Sequence, residues 1–234
     1  MTDSPRREEL AARLADVRRR IAKACAAAGR DPADITLIAV TKTHPASDVR
    51  LLSELGLSDV GENRDAEAAP KAAQCADLNL TWHFIGQLQT NKAASVVRYA
   101  HVVHSVDRPR LIRALGRAAR RAERVIDCLI EVSLDGDPAR GGAPAAEVPA
   151  LAEALEAEPG LVLGGVMAIA PLGMAPADAF ARLLGSAEAV RAVRPSATVI
   201  SAGMSGDLEA AVEAGATHLR IGTALLGDRR PRVR

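Results

Sequence analysis

Short apolar runs alternate along the chain with Ala-rich segments that have helical spacing. Many of the runs are continuously apolar, which is typical of parallel strands covered by helices. The eight predicted strands are Ile35–Val40, Leu57–Gly61, Thr81–Ile85, His101–Val106, Asp127–Leu134, Leu163–Ile169, Thr198–Ala202 and His218–Gly222. Helices are predicted between them, for example over Pro45–Leu55, Asn91–Tyr99, Arg108–Glu123, Ala143–Glu158, Pro176–Val193 and Asp207–Ala214.

Eight strand–helix units in 234 residues predict one α/β domain over residues 1–234, folded as a (β/α)8 TIM barrel. A doubly wound open sheet is the alternative, and the lack of a GxGxxG turn makes it less favoured. A helix is predicted within residues 1–30, with Ser4 as its N-cap and Gly29 as its C-cap. The basic, proline-broken segment Asp228–Arg234 is expected to be flexible.

Composition excludes several classes of function. The net charge is +1 and aromatic residues are only 2%, so the chain lacks the general basic field and the stacking platform of nucleic-acid-binding proteins. Its three cysteines have no metal-ligand spacing, which predicts no metal site and a reduced, cytoplasmic setting. No apolar run reaches 18 residues, so no membrane span is expected.

In a barrel, chemistry is found where the strands end. Lys42 follows the first predicted strand, where burial favours a neutral amine that can form a Schiff base with an aldehyde. A lysine that merely extends to solvent at a strand end is the structural alternative.

Two small-residue turns, at Gly203-Met204-Ser205 and Gly222-Thr223, follow strands seven and eight, where barrels frequently bind phosphate. Ordinary glycine-containing turns are the equally weighted alternative. An amine and a phosphate site together fit a phosphorylated aldehyde. Pyridoxal 5′-phosphate (PLP) is the leading candidate, and a Schiff-base aldolase acting on a phosphosugar has the same skeleton.

Several stretches resemble the YggS/PROSC family of pyridoxal phosphate homeostasis proteins, which is related to the N-terminal barrel of alanine racemases. The most specific is Trp82–Lys92, with the pattern His-Phe-Ile-Gly-x-Leu-Gln-x-Asn-Lys. The others run from the first strand to the last: Val40–Thr43, Gly61–Asn63, His104–Asp107, Gly165–Ile169, Gly203–Ser205 and Arg220–Ala224.

The resemblance implies a role for each matching residue. Lys42 would be the Schiff-base lysine, Asn63 would lie beside the PLP ring, and Arg220 would face the pyridine nitrogen. Phosphate would be held by Ser201, Met204, Ser205, Gly222 and Thr223. The chain departs from the family pattern at His44, Arg140 and Leu226, none of which removes an implied cofactor contact.

The resemblance also implies a carrier that holds, supplies or sequesters PLP, with no catalytic residue. An arginine at the pyridine nitrogen disfavours protonation of the ring and weakens the electron sink that carbanion chemistry needs. The chain ends soon after the barrel, so the second domain that gives racemases a tyrosine base is expected to be absent. A slow amino-acid racemase remains the first alternative function. A monomer in transient contact with PLP-dependent apo-enzymes is expected.

Overall fold

The computed structural model describes residues 5–137 and 140–227. Eight parallel strands form its centre: β1 (Thr36–Val40), β2 (Asp59–Glu62), β3 (Thr81–Phe84), β4 (Val102–Val106), β5 (Ile126–Ser133), β7 (Leu161–Met167), β8 (Val199–Ser201) and β9 (His218–Ile221). The two-residue strand β6 (Ala143–Pro144) pairs with the end of β5.

The sheet closes on itself. Its order is β4-β3-β2-β1-β9-β8-β7-β5, and β4 also pairs with β5. Every neighbouring pair is parallel, so all the carboxyl ends meet at one mouth. The predicted (β/α)8 barrel is confirmed.

The helices surround the barrel. They are α1 (Pro5–Ala27), α2 (Ala46–Glu54), α3 (Asp65–Gln74), α4 (Ala93–Val96), α5 (Pro109–Arg121), α6 (Val148–Glu156), α7 (Pro176–Val193), α8 (Leu208–Glu213) and α9 (Thr223–Leu226). Each predicted strand agrees with an observed one to within about two residues. Helix α3 was not predicted, because Pro70 lies within it and its apolar residues are small alanines.

The extra N-terminal helix, α1, is also present. It buries Leu10, Leu14 and Val17 against the barrel's outer helices and ends before Gly29, whose φ of +64° suits only a residue with little steric restriction. The proposed cap Ser4 and the segment Asp228–Arg234 lie outside the described residues. Over the described part of the chain, no helix has the length and apolar character needed to span a bilayer.

Trp82 lies on the outward face of β3, in a small second core separate from the main one. It is buried there with Val49, Val60 and Leu80, and Tyr99 packs against the edge of this cluster. His83, the next residue, points into the barrel, because successive side chains of a strand face opposite sides.

Candidate functional site

A cavity of about 460 Å³ opens at the carboxyl ends of the strands. That volume is typical of a site for a small organic ligand. Seven of the eight residues predicted for the site line it: Lys42, Asn63, Met204, Ser205, Arg220, Gly222 and Thr223. The eighth, Ser201, does not.

A buried ion pair holds the backbone beside Lys42. Thr41 donates its hydroxyl to Glu62 at 2.6 Å, and the Lys71 ammonium pairs with the same carboxylate. Lys71 also donates to the Thr41 carbonyl at 2.8 Å. The sequence left the role of Glu62 open between a ring contact and a structural carboxylate. The structure shows a structural one, because Glu62 is fully buried behind β1 and is not part of the cavity wall.

Asn63 is placed by a close approach of two backbones. A Cβ atom on Gly86, at the end of β3, would lie 2.2 Å from the Asn63 carbonyl oxygen. Only glycine allows this contact without displacing the loop. The sequence Ile85-Gly86 therefore fixes the position of Asn63 at the cavity wall.

Arg220 forms part of the cavity floor. Its guanidinium donates to Ser201 Oγ at 2.6 Å and to the Ala168 carbonyl at 2.8 Å. Burial lowers the pKa of Arg220 to about 10, although Glu131 and Asp207 act in the opposite direction. The side chain still carries its charge at neutral pH.

Ser201, which the resemblance assigns to phosphate, lies outside the cavity wall. Its side chain is completely buried beneath the floor, and its hydroxyl group lies 2.6 Å from Arg220 and 3.0 Å from His104 Nδ1. The Ser201 hydroxyl group is engaged by these two hydrogen-bond partners. It therefore supports Arg220 and does not point to the space where a phosphate would lie. A phosphate motif and a support for Arg220 look the same in the sequence.

The loops after β8 and β9 meet at one side of the cavity. Ser205 Oγ accepts the Ala224 amide at 3.1 Å, which ties the two loops together. The Met204 amide donates to the Asp207 carboxylate at 2.6 Å. Gly203 has a φ of +91°, and a Cβ atom there would lie 2.5 Å from that of Ala211. The turn therefore requires glycine at this position.

Helix α1 braces these loops from outside. Arg20 donates to the Ser205 carbonyl at 3.0 Å and pairs with Glu209 at 2.7 Å. Arg6 pairs with Asp48 at 2.6 Å and donates to the Leu226 carbonyl at 3.0 Å. The added helix thus supports the site as well as covering the barrel.

Glu131 is a cavity residue that sequence reasoning missed. It lies on β5, lines the cavity, and its buried Oε2 has no hydrogen-bond partner among the described residues. Burial raises the pKa of Glu131 to about 7, the charge of Asp107 adds to this, and Arg220 and Arg140 oppose it. An acidic residue inside the otherwise apolar run Cys128–Val132 was the available signal.

Tyr99 lies away from the cavity. It follows α4, lines a separate surface groove, and its hydroxyl is 3.4 Å from Asp65 Oδ1. Burial raises the pKa of Tyr99, so its phenol stays protonated at neutral pH and cannot act as a proton acceptor there.

Comparison with known proteins gives the family. The model of the alanine racemase N-terminal domain matches residues 12–230. A pyridoxal phosphate homeostasis protein of Mycobacterium tuberculosis is 46% identical, over 97% of this chain and 95% of its own length. The chain belongs to the pyridoxal phosphate homeostasis protein family.

Relatives from other bacteria are similar in sequence, and one solved structure is similar in fold. The homeostasis protein of Escherichia coli is 35% identical over 94% of this chain and 97% of its own. PipY of Synechococcus elongatus, solved with PLP bound, superimposes with a TM-score of 0.81 at 36% identity, over 93% of this chain and all of PipY. The resemblance described from the motifs is confirmed.

Proposed function

We propose that this member of the pyridoxal phosphate homeostasis family binds PLP in the barrel-mouth cavity and holds it in reserve for other proteins. The observation that carries the proposal is that an amine, a guanidinium and two tied loops line one cavity: Lys42, Arg220, Ser205 and Thr223. When bound, PLP supplies an aldehyde that condenses with a lysine amine. The relatives' names and the PLP-bound neighbour support the same assignment.

The residues present fit this cofactor. Lys42 would hold it covalently, Asn63 would lie against the ring, and Arg220 would donate to the pyridine nitrogen. The loop residues Met204, Ser205, Gly222 and Thr223 would hold the phosphate. Ser201 is assigned to Arg220 instead, because its hydroxyl is already engaged there.

We expect the phosphate loops to account for much of the affinity. Ser205→Ala and Thr223→Ala should each weaken PLP binding by roughly 10- to 100-fold, because a hydrogen bond to a charged group contributes about 1.5–3 kcal/mol. Titration with PLP and with pyridoxal, which lacks the phosphate, measures this. Ser133→Ala, at a strand end outside this cavity, is the matched control. Equal losses for PLP and pyridoxal would place the phosphate elsewhere.

We propose a carrier rather than an efficient enzyme. Arg220 carries a positive charge at neutral pH and lies where the ring nitrogen is expected to approach it. This charge opposes the ring protonation on which amino-acid chemistry depends. Tyr99, the chain's one tyrosine, does not line the cavity. The protein names of the relatives describe homeostasis and not a reaction.

A slow racemase is the second candidate, and Glu131 is the observation that favours it. A cavity carboxyl group with a pKa of about 7 can exchange protons near neutral pH.

If the protein is a carrier, we expect wild-type protein loaded with PLP to leave L-alanine in heavy water almost unlabelled at Cα and to form almost no D-alanine. Turnover at about 1 s⁻¹ or faster would make the protein an enzyme. Its loss in Glu131→Gln would then identify the proton carrier.

Delivery requires a recipient, and we propose transient contact with PLP-dependent apo-enzymes by a cytoplasmic monomer. Two of the three positions at which the chain departs from the family pattern, His44 and Arg140, lie at or beside the cavity, and the third, Leu226, is buried in the main core. His44 lines the cavity and Arg140 lies within 3.0 Å of Asp135 beside it. Exchange of PLP with a recipient would pass His44 and Arg140.

A further inference from the structure

A line of hydrogen bonds crosses the barrel interior beneath Arg220. Ser201 Oγ lies 2.6 Å from Arg220 and 3.0 Å from His104 Nδ1. His104 Nε2 lies 2.9 Å from His83 Nδ1, and His83 Nε2 lies 2.9 Å from Asp59 Oδ1. The line joins β9, β8, β4, β3 and β2. It begins at the cavity floor and ends at the first residue of β2, near the opposite mouth.

With one proton on each histidine, the chemistry of the two ends fixes the direction of every hydrogen bond in the line. Arg220 can only donate, and an ionised Asp59 can only accept. His83 must therefore carry its proton on Nε2 and accept on Nδ1. His104 must donate from Nε2 and accept the Ser201 hydroxyl proton on Nδ1. With both histidines neutral, this arrangement satisfies every bond in the line.

The surroundings of the line agree with a neutral His104 and an ionised Asp59. Burial lowers the pKa of His104 well below its usual range, and the charge of Arg220 acts in the same direction. Burial opposes the ionisation of Asp59, but hydrogen bonds from His83 and Ser58 lower its pKa overall. His218 faces His83 with its ring centre 6.4 Å away, and burial lowers the pKa of His218 to about 4.

We propose that His104 and His83 are positioning residues that hold Arg220 in its ring-facing orientation. Ser201 and the Ala168 carbonyl fix two guanidinium nitrogens, and the histidine line fixes Ser201 as an acceptor toward Arg220. The remaining N–H groups are then presented to the cavity as donors without the entropy cost of ordering a long side chain at binding. This inference rests on the proposed function, in which Arg220 donates to the pyridine nitrogen.

The test compares PLP with an analogue whose ring nitrogen is replaced by CH. Wild-type protein should bind PLP at least about 10-fold more tightly, as expected for a hydrogen bond from a charged donor. His104→Phe should reduce that preference to nearly 1, and so should Arg220→Ala. His101→Phe, the matched control, removes a histidine just before β4 that lies outside the line and should keep the preference.

The outcomes separate two failures. Wild-type protein with no preference would overturn the placement of Arg220 at the ring nitrogen, and the inference with it. A wild-type preference that His104→Phe retains would overturn the inference alone. Nitrogen-15 NMR of the wild type provides a second test if the variant does not fold. Both histidines should be protonated at Nε2 and bare at Nδ1, and a protonated Nδ1 on either would contradict the proposed direction.

Discussion

Replacing Lys42 with alanine should abolish the covalent, borohydride-reducible PLP adduct while leaving the barrel folded. The chain has only four lysines, Lys23, Lys42, Lys71 and Lys92, and Lys42 alone lines the cavity. Lys71 is nearby, but its ammonium is buried and paired with Glu62 and Glu67. The expected result is therefore complete loss and not a partial decrease.

Peptide mass mapping after reduction checks this result directly. Lys92→Ala is the matched control, since Lys92 is exposed in the turn before α4 and outside the cavity, and it should retain the full adduct on Lys42. Weaker, reversible PLP binding should persist in Lys42→Ala through the phosphate loops. An adduct that survives in Lys42→Ala would refute the assignment and make Lys92 the next residue to examine.

The cofactor-free protein should lose roughly 3 kcal/mol of stability between pH 4.5 and pH 7 through Glu131 alone. Burial raises the pKa of this carboxyl group from 4.5 to about 7 in the folded chain. The folded protein therefore holds a proton that the unfolded chain releases across this window, so stability decreases as the pH rises. Each pKa unit corresponds to about 1.4 kcal/mol.

Glu131→Gln removes this dependence. Urea unfolding at pH 5 and pH 8 should show that the difference in unfolding free energy between wild type and variant changes by about 2–3 kcal/mol in favour of the variant at the higher pH. Glu153→Gln on α6, where the side chain is exposed, is the matched control and should follow the wild type at both values. If Glu131→Gln also follows the wild type, the carboxyl group is better solvated than the structure indicates.

The strands of this protein were predictable because each buried parallel strand is a short apolar run bounded by turn residues. The edges of β5 and β7 agree with the prediction to within two residues for this reason. Helix α3 was missed, since Asp65–Gln74 contains a proline and only small apolar residues. A barrel tolerates such a helix because packing against β2, and not intrinsic propensity, stabilises it.

The residues that line the cavity were predictable where a motif lies at the end of one strand, as for Lys42 and Thr223. The line of hydrogen bonds beneath Arg220 was not predictable from the sequence. Its members come from five strands, and each of them, considered by itself, resembles an ordinary core residue. Ser201 shows the limit most clearly. The family resemblance implied a phosphate contact for this last residue of β8, and only the closed barrel reveals that His104, nearly a hundred residues earlier, meets the same hydroxyl.

The second core, around Trp82, gives the protein a single buried tryptophan whose fluorescence can report on the cavity. Trp82 is the chain's one tryptophan, and it lies two residues before the end of β3. At a rise of about 3.3 Å per residue, it is roughly 7 Å below the level of the cavity mouth. A chromophore bound at that mouth would accept excitation from this single indole. Loading and release of the cofactor can therefore be followed as quenching and recovery of native fluorescence, in real time and without a label.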